Sequence, residues 1–180
     1  MCTRTEQGEV YAELLAAVES GDAAATRLCL SRGASPRGPR KFFRRVNTPL
    51  ACAARAGRVE IVALLLEAGA DAEGKARGRY PIELASGAGH VDVVALLLEA
   101  GVQMHDAVCL AAAYGNLGVL ELLLERGAKP QVALKGGLGS QLRMQGRILR
   151  RLRDAGGVLE PEIERIVQEG TALGDELDPR

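Results

Sequence analysis

At 180 residues, 47% of them apolar, the chain is long enough for one compact domain or a short repeat array with a buried core. Only 3% is aromatic and tryptophan is absent, so that core must be built from Leu, Val, Ile and Ala in thin layers, which favours helices with closely approaching backbones. Formal charge is zero, which speaks against a dedicated polyanion binder, yet the charges are segregated along the chain and leave local patches.

The N-terminal stretch MCTRTEQGEV lacks the apolar centre of a signal peptide, and no apolar run approaches the roughly 18 residues that span a bilayer. A cytoplasmic protein with a short extension over residues 1–9 is expected. Cys2, Cys29, Cys52 and Cys109 are scattered without CxxC spacing, and the last three fall in predicted helices, so neither a disulfide framework nor a zinc site is expected. Nineteen arginines against four lysines, with abundant Ala and Gly, suggest a GC-rich, bacterial source.

From residue 10 onward the chain repeats itself. Gly21, Gly57, Gly89 and Gly115 each interrupt an apolar run and are followed by Asp22, Arg58, His90 and Asn116; twelve residues further on come Gly33, Gly69, Gly101 and Gly127. The most regular copy starts at Thr48, whose hydroxyl can cap a helix, and Pro49, which fits the first helical position; Leu50 opens the apolar face. Val59 to Leu66 then has the three-and-four spacing of an amphipathic helix, stopped at Gly69. A helix pair this small cannot bury its own apolar face, so copies must stack. The fixed offset gives four helical pairs at approximately 10–36, 46–71, 78–102 and 104–128, with Leu14, Leu50, Ile82 and Val108 in equivalent core positions, as are Leu65, Leu97 and Leu123.

Beyond Ala128 the pattern weakens. Leu142, Ile148, Leu149 and Leu152 still share one helical face, which reads as a degenerate fifth repeat over 129–157. Pro161 then opens a segment with Ile163, Ile166 and Val167 on one side, an expected cap helix over 158–170 whose outer face is polar through Glu162, Glu164 and Glu169. Residues 171–180 are expected to be a disordered acidic tail.

The sequence resembles the ankyrin-repeat family over roughly residues 10–128, on Thr48, Pro49 and Leu50, on Gly89 with His90, and on the Leu64–Leu66 and Leu96–Leu98 runs before Gly69 and Gly101. The resemblance implies an all-α solenoid of stacked antiparallel helix pairs with projecting β-turn fingers, and a concave face made by fingers and first helices. It also implies a protein-binding scaffold rather than an active site. Departures lie between the pairs: the turn glycines are 36, 32 and 26 residues apart, against roughly 33 for a regular period. The fingers therefore shrink, from an enlarged one between Gly33 and Thr48, through an ordinary one between Gly69 and Tyr80, to almost nothing between Gly101 and Asp106.

The enlarged finger, RGPRKFFRRV, carries Arg37, Arg40, Lys41, Arg44 and Arg45 without an acid, and holds Phe42 and Phe43, the only phenylalanines of the chain. Two readings stand: a phenylalanine folded under the loop with solvated arginines around it, or an aromatic anchor ringed by charge, the composition of an interface hot spot. The second finger adds Lys75, Arg77 and Arg79, trimmed by Asp71 and Glu73. Together they form a basic ridge suited to an acidic partner. The groove is expected to continue through Arg55 and Ala56, Gly87 and Ala88, and Ala113 with Tyr114, the best anchor of these. From Arg126 to Arg153 there are eight basic residues and no acid, followed by eight acids from Asp154 to Asp178; either the tail neutralises the fifth repeat or a second docking surface exists.

Catalytic chemistry finds little support. His90 holds the family's turn position and should help cap the following helix, while His105 is a loop residue with no visible partner. Cys52 aligns with Leu84 and Leu110 as core; Cys109 aligns with Ala51 and Glu83 and lacks a placed base. The glycines follow helices rather than strands and no GxxxxGK[ST] occurs, so no phosphate cradle, cofactor or metal is expected. The chain thus reads as a monomeric, non-catalytic adaptor or inhibitor that grips an acidic protein surface. The alternative is nucleic-acid binding through the basic fingers and the 126–153 region, with the phenylalanines stacking on bases.

Overall fold

The computed structural model describes residues 4–37, 47–130 and 146–158, together with Arg165. Helices α1 (Arg4–Ser20) and α2 (Ala23–Ser31) pair, as do α3 (Pro49–Arg55) with α4 (Val59–Glu67), α5 (Pro81–Ala88) with α6 (Val91–Glu99), and α7 (Ala107–Ala113) with α8 (Leu117–Glu125). The odd-numbered helices α1, α3, α5 and α7 stack side by side as one layer, and α2, α4, α6 and α8 form the second. Helix α9 (Gly146–Asp154) packs on α8 and so continues the second layer. Among the described residues there is no strand, only a lone antiparallel bridge between Ala76 and Arg79, and the fold is an all-α repeat solenoid.

Local chemistry sets the helix ends. The Thr48 hydroxyl accepts the Ala51 N–H at 3.2 Å, with Pro49 in the first helical turn, and the Asp22 carboxylate accepts the Ala25 N–H at 2.8 Å. At the start of α5 the Glu83 side chain reaches back to the Tyr80 N–H at 3.2 Å. The second helices all stop alike: the Ala34, Ala70, Val102 and Ala128 N–H groups bond to the Cys29, Leu65, Leu97 and Leu123 carbonyls. In α9 the Gly157 N–H meets the Leu152 carbonyl at 2.8 Å in the same way. Ile148, Leu149 and Leu152 lie buried as Val119, Leu120 and Leu123 do, so α9 behaves as a fifth second helix.

The expected core positions fill with no waste: Leu14, Leu50, Ile82 and Val108 are at most 2% exposed, and Leu65, Leu97 and Leu123 are fully buried. Each such side chain stabilises by about 1.5–3 kcal/mol relative to exposure. Between first helices the seam is alanine, with Ala53, Ala54, Ala85, Ala107, Ala111 and Ala112 all buried, which lets the backbones approach closely. Helix α1 starts at Arg4, within the stretch read as an extension, and is therefore longer than its counterparts. The expected cap helix and tail lie outside the described residues, except Val158, which is exposed, and Arg165, which is helical.

The turns between paired helices lock to one another. Gly57 has φ 69°, and the His90 ring of the next repeat lies where a Gly57 Cβ would project, 2.6 Å from that point. His90 does not cap its own helix, as the sequence suggested; its Nε2 lies 3.1 Å from the Arg55 carbonyl of the preceding repeat. Asn116 repeats this one step on, donating from Nδ2 to the Ser86 and Gly87 carbonyls at 2.7 and 3.0 Å, while the Arg58 guanidinium lies against Gly21.

Candidate functional site

The second finger is a tight hairpin. Ala76 and Arg79 exchange backbone hydrogen bonds at 2.9 and 3.0 Å, and the two residues between them, Arg77 and Gly78, both have positive φ, 51° and 83°. This is the primed turn that two-residue hairpins favour, with an arginine in a place that glycine or asparagine fills more cheaply. The turn projects Arg77 and Arg79 over the first-helix layer. Together with Asn47, Ala51, Cys52, Arg55 and Leu84 they line a cavity of about 120 Å³ between the finger, α3 and α5.

Three of the basic residues singled out in the sequence, Arg55, Arg77 and Arg79, therefore meet at one pocket. All three are exposed and none makes an ion pair with a described residue. The buried Cys52 thiol stands beside them. Burial, with help from the Glu19 carboxylate, pushes its pKa up against the opposing pull of Arg55 and Arg77, and burial followed by Cys52 raises the Tyr11 phenol likewise. Cys109 is also pushed up, by burial first and then by Asp106, so both thiols stay protonated at neutral pH and are poor nucleophiles.

The other expected residues distribute differently. The Tyr114 ring is 68% exposed and lies beside Gly87, with its Cδ2 3.5 Å from where a Gly87 Cβ would sit. That is ordinary van der Waals contact, and it sets the ring one helix farther along the stack from the pocket. Arg37 is less available than its exposure suggests, because its Nε donates to the Gly69 carbonyl at 2.8 Å and ties the first finger's base to that of the second. The Lys75 ammonium sits 4.3 Å from the centre of the Tyr80 ring. Arg40, Lys41, Phe42, Phe43, Arg44 and Arg45 lie outside the described residues, as does most of the basic 126–153 region. Within that region Arg151 reaches Glu121 at 3.5 Å and Arg153 pairs with its neighbour Asp154.

His105 has the partner that the sequence did not disclose. Its Nε2 lies 2.6 Å from Glu73 Oε2, and its ring stacks on Tyr80 with centroids 3.6 Å apart and planes 4° from parallel. The other Glu73 oxygen accepts the Gln103 N–H at 2.8 Å. Burial alone would raise the Glu73 carboxyl, but the Gln103 and His105 hydrogen bonds outweigh it and hold its pKa below the ordinary value. Glu73 is thus tied to the third connection, while it still lies two residues from Lys75 in the second finger. His105 itself is at φ 41°, a left-handed residue in the shortest connection of the array.

A family model for ankyrin repeats, in three copies, matches residues 14–107, more than half of the chain, and the protein belongs to the ankyrin-repeat family. No curated protein matches the sequence. Ankyrin repeats generally mediate protein–protein interactions and are typically non-catalytic scaffolds. Among the described residues, no three His, Cys, Asp or Glu side chains gather as a metal site, and no helix is long and apolar enough to cross a membrane.

Proposed function

We propose that this protein is a non-catalytic scaffold, an adaptor or an inhibitor, that grips an acidic surface of another protein. The contact surface in this reading is the first finger (Arg37, Arg40, Lys41, Phe42, Phe43, Arg44 and Arg45), the second finger (Lys75, Arg77 and Arg79) and the groove beside them (Arg55 and Tyr114). The reading places it as a monomer in a bacterial cytoplasm, within a single repeat domain over 10–170.

The observation that carries the proposal is the convergence of Arg55, Arg77 and Arg79 on one pocket with no acid among the described residues of its lining. Unpaired guanidiniums on a groove raise the local concentration of an acidic partner and pair with its carboxylates in two-pronged geometry. The test is a pull-down from a lysate of the source cell, comparing the wild-type chain with Phe42→Ala/Phe43→Ala and with Arg55→Glu/Arg79→Glu. A protein retained by the wild type, lost from both variants and released by moderate salt supports the reading. Retention by both variants overturns it, as does micromolar binding of random DNA or RNA at low salt in place of a protein.

A further inference from the structure

We propose that the cavity beneath the second finger seats one aliphatic side chain, of leucine size, from a segment of the partner flanked by acidic residues. This rests on the protein-binding reading and narrows it to a residue class at a defined socket.

The lining is divided by chemistry. Ala51, Cys52 and Ala76, at 2, 6 and 3% exposure, and the half-buried Leu84 present methyl groups and a thiol. The exposed Arg55, Arg77 and Arg79 stand around them with Asn47. A carboxylate or phosphate driven onto the buried apolar part would lose its hydration without gaining charged donors there. An alkyl group gains on the same surface, while acids on either side of it stay at the water-exposed arginines.

Size supports the same occupant. At about 120 Å³ the cavity is well below the roughly 300–1,000 Å³ of cofactor or drug-sized sites. It is close to the void of about 150 Å³ that admits benzene in an engineered protein core. One branched side chain fills the recess, whereas a nucleobase with its sugar would stand largely outside it. An apolar anchor enclosed by polar groups is also the arrangement in which a few interface residues carry most of the binding energy.

Arg77 adds a separate observation. Its φ of 51° is unfavourable for a residue with a Cβ, and the hairpin needs no side chain to close there. The strained residue belongs to the lining of this pocket, where local strain often marks function.

The probe is a capped heptapeptide with a central leucine flanked on each side by two acidic residues, titrated into the full chain and followed by NMR. Leu84 methyl signals and the Arg55, Arg77 and Arg79 side-chain N–H signals should move together. Replacing the peptide leucine by alanine should weaken binding about tenfold, the loss of one modest hot spot, and replacing its acids by amides should weaken it by a similar factor. Ala51→Val, which fills the socket, should reduce affinity for the leucine peptide alone. Arg79→Glu, at an exposed position, should weaken the leucine and alanine peptides alike, and the comparison of these two peptides on the wild type keeps the socket testable if Ala51→Val does not fold.

Equal affinity for the leucine and alanine peptides overturns the socket, as do arginine shifts without movement of Leu84, or no shifts at all. So does movement of the Leu84 signals in Phe42→Ala/Phe43→Ala without peptide, since the first finger would then be the occupant. If the socket fails while the finger variant still loses its protein partner in the pull-down, the wider reading stands. If the peptide binds as described and both pull-down variants keep the partner, the socket stands and the wider reading falls.

Discussion

His105 and Glu73, thirty-two residues apart in sequence, are joined by a 2.6 Å contact that fastens the shortest connection of the array to the finger before it. With the Gln103 N–H on its other oxygen, the Glu73 carboxylate does for the third connection what a longer finger would do for itself.

Acid should release this clasp. The Glu73 pKa is lowered in the fold, so its contribution to stability is complete above the ordinary glutamate value of about 4.3 and disappears as pH falls through the lower folded value. Thermal melts of wild type and Glu73→Gln between neutral and acid pH test this. The wild type should be the more stable at neutral pH, and the two curves should converge in the acid range. A constant gap across the whole range would deny the linkage.

Leu65→Ala should destabilise by about 2–5 kcal/mol, because Leu65 is fully buried and its removal leaves a cavity between layers. Phe42→Ala/Phe43→Ala should leave helicity and cooperative melting nearly intact while weakening partner binding. Urea melts followed by circular dichroism separate these outcomes, and loss of folding in the second variant would assign the phenylalanines to the core.

Arg77→Asn should stabilise the protein while weakening its binding. Asparagine tolerates the left-handed conformation that costs most residues roughly 1–2 kcal/mol, so a gain of about 1 kcal/mol in denaturant melts is expected. The same variant removes a guanidinium from the pocket and should lower affinity for the acidic leucine peptide. A variant that is neutral in both measurements would leave Arg77 without a role.

Ser86→Ala should stabilise as well. The Ser86 hydroxyl is fully buried and has no hydrogen-bond partner among the described residues, whereas Ala54 and Ala112 occupy the matching positions of neighbouring repeats. Removing an unsatisfied hydroxyl and adding helix propensity should contribute about 1 kcal/mol or more. A lower midpoint in urea would mean that the hydroxyl finds an acceptor in solution.

The helical frame was legible because its signals are local and recur. Gly57 and Gly69 mark a turn and a stop on their own, and the same pair at Gly89 and Gly101 converts two weak signals into a period. Leu65 and Leu97 follow from that period directly. The cross-repeat contacts carry no such signal: nothing local ties His105 to Glu73, and His90 looked like a cap because its position precedes a helix, although its ring turns back to Arg55. The pocket was half visible. Its arginines stand out by charge, but Cys52 and Leu84 read simply as core, and an arginine before Gly78 hides the hairpin that asparagine or glycine there would signal.

The turn contacts all point one way. His90 seeks the Arg55 carbonyl, Asn116 those of Ser86 and Gly87, and Arg58 the surface of Gly21, in each case a repeat made earlier. At these turns the acceptors therefore precede in the chain the side chains that need them, although the finger contact from Arg37 to the Gly69 carbonyl runs the other way. At the turns, shortening the chain from its end would return carbonyls to water, whereas shortening it from its start would strand a side chain without its seat; either cut also bares the apolar face of the neighbouring pair. The array has a chain direction written into its turns.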